Sequence, residues 1–256
     1  MRRIVIAVLL SCVLSLNFFF YSEELLGYSA SLVKKNAIDQ TDLSGLYKLG
    51  YYRRDYADEN LNCRNAVLKF QSSNNLVADG IPGKQFKEAL GKKLQQGNTG
   101  FNDYVKKPAS SQLWIAVNKS KRTLTVYWNK TAINKYPVAL GRTNFVTPEG
   151  KFKIKNMVIN PRWSGGGYAK PVNGGDKNNP LGYRWMGLSI GDQNKYGIHG
   201  NNNPYSIGRN VSRGCIRMLN TDVEELYRYV KKGTPVWIGS DQALRKWGVY
   251  QNSIVN

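Results

Sequence analysis

The chain has 256 residues, of which 37 are Lys or Arg and 17 are Asp or Glu, for a net charge of +20. Its 41% hydrophobic content is enough for the core of one or two domains, and the positive excess favours polyanionic partners: nucleic acid, anionic lipid or an anionic wall polymer. A single histidine excludes a zinc hydrolase built on two or three imidazoles, and three cysteines exclude a disulfide framework.

Residues 1–30 open with Met1-Arg2-Arg3 and continue in the apolar run IVIAVLLSCVLSLNFFFY at 4–21. A basic start before such a run reads as a signal peptide, or as an N-terminal membrane anchor if it is not cut. Either way Arg2 and Arg3 stay inside and the body is delivered outside, to the periplasm or cell wall. Export removes nucleic acid from the partners. It leaves wall polymers, and inner-membrane contact through residues 4–21 if they are retained.

Residues 43–92 read as a small helical unit. In LSGLYKLGYY the residues Leu43, Leu46, Leu49 and Tyr52 recur at helical spacing before a stop at Gly50. CRNAVLKFQSSN sets Cys63, Ala66, Val67 and Phe70 on one face, with Leu76, Ile81 and Leu90 as further core candidates. The turn DGIPG leads to a last helix, KQFKEALGKKL, with Phe86 inward. Residues 93–110, rich in Lys, Gln, Gly and Asn, read as a linker at which the two flanking units separate.

From Ser111 the period changes to two. LWIAVN and TLTVYWN read as a hairpin around Lys119 to Arg122. AINKYPVALG, GKFKIKNMVIN, MGLSIG, YGIHG and TPVWIG are further strands. Residues 163–184 form a Gly- and Asn-rich loop of the length that covers sites. Asn220-Thr221-Asp222 reads as the cap of one helix, DVEELYRYVKK, closed by Gly233. The expected fold is α+β: a small N-terminal helical domain, then a mostly β, sandwich-like domain with one helix at 111–240, then a tail at 241–256.

The chemistry concentrates in two segments. Ile198-His199-Gly200 precedes Ser212-Arg213-Gly214-Cys215-Ile216-Arg217-Met218. A cysteine nucleophile needs a base or cation nearby to form thiolate, and His199 is the one imidazole available. Gly214 removes a side chain where a substrate backbone must approach and lets successive amides point one way, so the amides of Gly214 and Cys215 are candidate oxyanion donors. Arg217, two residues beyond Cys215, shares its strand face and can steer a substrate carboxylate.

HG, a gap, then S-x-G-C-I-R-M resembles the signature of the YkuD-type L,D-transpeptidase family. Thr147-Pro148-Glu149-Gly150-Lys151-Phe152, Asn160-Pro161-Arg162-Trp163 and Ser206-Ile207-Gly208 are similar to further family elements in the same order. The resemblance covers 111–240. It implies Cys215 as nucleophile, His199 as base, and the carbonyl of Gly200 as the group that holds the imidazole. Ser212, Arg213, Arg217 and Asn220 are candidate substrate contacts, and Trp163 and Tyr183, flanking the Gly-rich loop, read as lining a substrate groove or as packing aromatics. Arg213 stands where much of the family has histidine, so His199 must serve alone. The resemblance implies no metal or other cofactor.

The implied reaction is acyl transfer from the third residue of a peptidoglycan stem, with D-Ala released and a second stem's amine as acceptor. A carboxypeptidase using water and the same residues, or a non-catalytic wall-binding protein, are the alternatives. The family also implies acylation by carbapenems. The unit at 43–92 resembles the three-helix peptidoglycan-binding domain, implying contact with glycan strands. Its weak candidate contacts are Tyr52 and Gln71.

Overall fold

The computed structural model describes residues 38–97, 100–191 and 195–255; the apolar segment at 4–21 lies outside the described residues. Among the described residues, no helix is long and apolar enough to cross a membrane.

Three helices form the front unit: α1 (Gln40–Lys48), α2 (Glu59–Ser73) and α3 (Lys84–Gln96). The Asp39 side chain caps α1 by accepting from Asp42 N, and Asp58 caps α2 by accepting from the amides of Asn60 and Leu61. Leu43, Leu46, Ala66, Val67, Phe70, Phe86 and Leu90 meet in one core, with the ring of Phe70 edge-on to Phe86 at 5.1 Å. Cys63 lies in that core, and burial pushes its thiol up to about 11. Ile81, expected inside, is 61% exposed, because the turn that carries it bends outward. Gln71 is buried and fully engaged: its amide donates to Asp79 Oδ1 and the Ile81 carbonyl and accepts from the amides of Asp79 and Gly80. It braces this turn and has no capacity left for a ligand. Tyr52 donates to Glu59 and stacks on Tyr47 at 4.1 Å.

The second unit is built on one mixed, curled sheet. Its strands are β2 (Leu113–Asn118), β3 (Thr123–Trp128), β4 (Thr131–Pro137), β6 (Gly150–Ile159), β7 (Arg184–Leu188), β8 (Gly197–His199), β10 (Ile216–Arg217) and β11 (Pro235–Gly239). The spatial order is β10-β8-β7-β6-β11-β2-β3-β4. Period-two alternation sorts the side chains into two layers. Ile115, Val117, Leu124, Val126, Val236 and Ile238 face one way, packed with Val223 and Leu226 of α4 (Asn220–Tyr229). Trp114, Ala116, Tyr127 and Trp237 face the other way, covered by Leu244 of α5 (Asp241–Lys246). Apolar partners on both faces explain why β2 and β3 are almost continuously buried. A short parallel pair, β5 (Leu140–Gly141) with β9 (Asn210–Ser212), lies beside the sheet.

The segments read as linker and tail pair with each other at Asp103–Val105 and Val249–Gln251. Helix α3 runs on to Gln96, and β1 (Asp103–Val105) pairs antiparallel with β12 (Val249–Gln251). The polar composition at 93–110 concealed this, because Asp103 is a buried charge with a partner. Lys135 of β4 meets Asp103 at 2.7 Å, and both side chains are almost wholly shielded from water. Asn75, in a left-handed conformation just beyond α2, accepts from Lys135 and donates to Asp103 Oδ1 and to the Asn252 carbonyl. Tyr127 donates to Asp103, and Gln251 bonds Asn118, Thr125 and Tyr127. Val255 enters the front unit's core. Helical unit, sheet and the 249–255 segment are therefore joined by one buried polar network.

Burial lowers Lys135 to about 8, against the pull of Asp103. Losing the ammonium would leave Asp103 charged, buried and unpaired. Lys135→Met should therefore lower the free energy of unfolding by about 3–5 kcal/mol in a urea titration. The same loss should be much smaller when Asp103→Asn is added.

Candidate active site

Strand β8 lies between β7 and β10, and its register builds the site. β10 runs parallel to β8, with Ile216 opposite Ile198 and Arg217 opposite His199. β7 runs antiparallel on the other side, with Trp185 opposite His199, Met186 opposite Ile198 and Gly187 opposite Gly197. Met186, Ile198 and Ile216 are wholly buried and point into the core. Alternation therefore turns Trp185, Gly197, His199 and Arg217 to the opposite face. Cys215, one residue before β10, joins that face beside Gly197. Strand spacing and rise put the backbones of Cys215 and His199 roughly 8 Å apart on the diagonal, a gap that a thiol and an imidazole together can bridge.

His199 is 3% exposed. Its Nδ1 lies 2.7 Å from the Gly200 carbonyl, which can only accept, so Nδ1 carries the proton and Nε2 of the neutral ring keeps a lone pair. Burial, helped by the charge of Arg217, pushes the imidazole down to about 3, while the carbonyls of Gly200 and Leu181 pull weakly upward. Trp185 stacks on the ring at 5.7 Å between centroids and 23° between planes, and its indole N–H donates to Asn156. The indole can lie there only because residue 197 is glycine: a Cβ at that position would stand 2.6 Å from the ring.

Cys215 is half-buried, unpaired with any other cysteine, and its thiol donates to the Lys195 carbonyl at 3.3 Å. Burial raises the thiol, while the Gly197 backbone and Arg217 partly oppose that shift. The resting site therefore holds a neutral thiol beside a neutral imidazole. Desolvation here outweighs the pull of Arg217. The guanidinium itself is mostly buried, has no carboxylate partner among the described residues, and keeps a buried Nε without a hydrogen bond there.

Two further expectations change. Gly214 N donates to Ser212 Oγ at 3.1 Å, and Ser212 Oγ donates to the Cys215 carbonyl at 2.6 Å. Ser212 is 1% exposed, so it braces the turn into Cys215 and does not face a substrate. The Gly214 amide is thereby occupied, which leaves the Cys215 amide as the remaining candidate oxyanion donor at this turn. Gly214 has φ 108, and a Cβ there would press on Tyr196 at 2.7 Å, so the turn requires glycine for its own geometry.

Asn220 accepts from Asn201 N at 3.0 Å and donates to the Asn201 carbonyl at 2.9 Å. It does not cap α4, which starts after Leu219 without a side-chain cap. It pins the backbone next to Gly200, the residue that fixes the imidazole.

The Gly-rich loop contributes an aromatic wall. Arg213 lies over the ring of Tyr168 at 3.7 Å and over Phe145 at 5.5 Å, and Trp163 meets Tyr168 edge-on at 5.7 Å. Trp163 thus reaches the wall through Tyr168. The Tyr183 carbonyl accepts from Asn160 N and from the Arg184 guanidinium, which sets this residue at the head of β7. Phe145, Asn156 and Lys195 take part without any signal in the motif. Asn156 announced itself only as a polar residue in the middle of a strand, at a register shift of the β6–β7 pair.

The chain matches the model of the YkuD L,D-transpeptidase catalytic domain over residues 112–238. The Bacillus subtilis protein YqjB, named for an L,D-transpeptidase, is 38% identical over 136 residues, or 52% of this chain and 75% of that one. The similarly named YkuD of Bacillus licheniformis is 42% identical over 134 residues, or 52% of this chain and 70% of its own. A solved L,D-transpeptidase from Xylanimonas cellulosilytica shares the fold, with a TM-score of 0.53 at 19% identity over 77% of this chain and 90% of that one. A sheet that brings one cysteine, one histidine and one arginine to a common face, together with these likenesses, places the chain in the YkuD-type L,D-transpeptidase family.

Proposed function

We propose that this chain is an exported peptidoglycan L,D-transpeptidase in which Cys215 forms a thioester with the third residue of a tetrapeptide stem. The observation that carries the reading is the pairing of β8 with β10, which sets Cys215, His199 and Arg217 on one face. In the first half-reaction the Cys215 thiol rotates from the Lys195 carbonyl toward Nε2 of His199, and its proton passes to that nitrogen as sulfur attacks the carbonyl carbon. The Gly200 carbonyl, on Nδ1, steadies the imidazolium that forms.

The tetrahedral oxyanion is held by the Cys215 amide. The Arg217 guanidinium, on the same face as Cys215 and His199, balances the negative charge of the intermediate or of the stem's terminal carboxylate. Collapse breaks the peptide bond, and His199 returns its proton to the departing amine of D-Ala. In the second half-reaction an amine of another stem gives up a proton to His199 and takes the acyl group from sulfur. Glycan strands and anionic wall polymers are the natural partners of a body with net charge +20.

Intact-mass measurement of the chain mixed with a disaccharide-tetrapeptide should show an acyl adduct with D-Ala lost, and the digest should place it on Cys215. Cys215→Ala should form neither adduct nor cross-linked product. Cross-linking that survives in this variant would defeat the assignment, and release of D-Ala without any dimer would indicate the carboxypeptidase instead. A carbapenem should acylate the same sulfur.

The neutral resting pair has its own signature. With the thiol raised above its ordinary value, alkylation of Cys215 by iodoacetamide should climb steadily with pH past about 9, the usual thiol range. A plateau already reached near pH 6 would mean a standing thiolate–imidazolium pair.

A further inference from the structure

The segment that joins base to nucleophile, residues 200–214, does not rest on the sheet alone; the helical unit supplies part of its seat. Arg64 of α2 reaches across to donate to the Ile207 carbonyl at 2.6 Å, and it also touches the Asp79 carbonyl at 3.4 Å. Ile207 is wholly buried in a cluster formed by Leu68 and Ala78 of the helical unit with Ala139 and Leu219 of the sheet unit. Gly208, at φ 81, passes so close beneath α2 that a Cβ would stand 2.7 Å from Leu68 and 2.9 Å from the Ala78 carbonyl.

Two outer contacts frame this seat. Tyr205 donates to Asp58 Oδ2 at 2.7 Å. Lys69 lies 3.6 Å from the buried Asp222, two residues beyond the Asn220 that grips Asn201. The seated segment continues through β9 directly into the Ser212–Cys215 turn.

We propose that the helical unit positions the reacting groups, with Arg64 as a positioning residue that fixes the Ile207–Gly208 backbone and through it the spacing of His199 and Cys215. The proposal rests on the transpeptidase reading of the site. In it the helices act on turnover itself, whether or not they also bind wall. Arg64 is suited to this task. Both bonds come from one nitrogen, Nη2, which a planar, always-charged guanidinium aims in a fixed direction, whereas a lysine ammonium sits on a flexible stem. Small displacements of a reacting pair cost far more in rate than in binding, because the attack geometry is narrow.

The test uses the full chain with Arg64→Ala, Arg64→Lys and Leu68→Ala. Each variant is checked for folding by circular dichroism, then assayed for turnover of the disaccharide-tetrapeptide and for alkylation of Cys215 by iodoacetamide at one pH. Arg64→Ala should lower kcat roughly ten- to hundredfold with KM unchanged and should slow alkylation, and Arg64→Lys should recover part of both. Leu68→Ala, which shrinks the contact above Gly208 and leaves Arg64 in place, should act in the same direction. It decides the matter if Arg64→Ala does not fold.

Wild-type kcat and alkylation in the folded variants, or a rise in KM alone, would overturn the proposal. Alkylation needs no transpeptidation. Slowed alkylation in a protein whose cross-linking proves independent of Cys215 would sink the reaction assignment and leave the positioning role standing.

Discussion

The parallel contact between two very short strands, β8 and β10, is the constraint on which the site depends. Its hydrogen bonds continue past the strand end, where Met218 N donates to the His199 carbonyl. A slip of one residue would turn Cys215 and Arg217 into the core and expose Ile216. The register is held by more than backbone pairing: Met186, Ile198 and Ile216 fill the core side, while Trp185 lies on Gly197 and His199 on the other. Hydrophobic burial on one face thus fixes the chemistry on the other.

That chemistry is set by desolvation. A thiol raised by burial and an imidazole lowered to about 3 both rest uncharged. The fixed positive charge of Arg217 disfavours an imidazolium before substrate arrives. In the proposed reaction it supplies the counter-charge once a substrate oxygen or carboxylate enters. The proposed mechanism keeps the sulfur quiet at rest and activates it when a carbonyl is at hand. The turn that presents the sulfur is tied from within by Ser212, which takes up the Gly214 amide.

Much of this was legible in the sequence. Period-two runs gave the strands, and apolar residues at helical spacing gave the three front helices. The only histidine and the S-x-G-C-x-R run pointed to His199 and Cys215, which the β8–β10 register turns to one face. What escaped was whatever depends on where a polar side chain finds its partner. Ser212 and Asn220 read as substrate contacts because they are polar and near the motif, yet each spends its hydrogen bonds on backbone. Asp103 and Gln251 read as parts of a linker and a tail because nothing in the local pattern announces a partner as distant as Lys135 or Asn118. Ile81 read as core because it is apolar and lies between two helices, whereas in the DGIPG turn it is 61% exposed.

The presence of a single imidazole allows the central claim to be measured directly. In the nitrogen spectrum of a chain labelled with ¹⁵N-histidine, His199 should show a protonated Nδ1 and a bare Nε2. Neither signal should titrate between about pH 5 and 8, the window in which an ordinary histidine changes charge, and alkylating Cys215 should shift the Nε2 signal. An imidazole that titrates near 6.5, carries its proton on Nε2 and ignores modification of the sulfur would contradict the arrangement described.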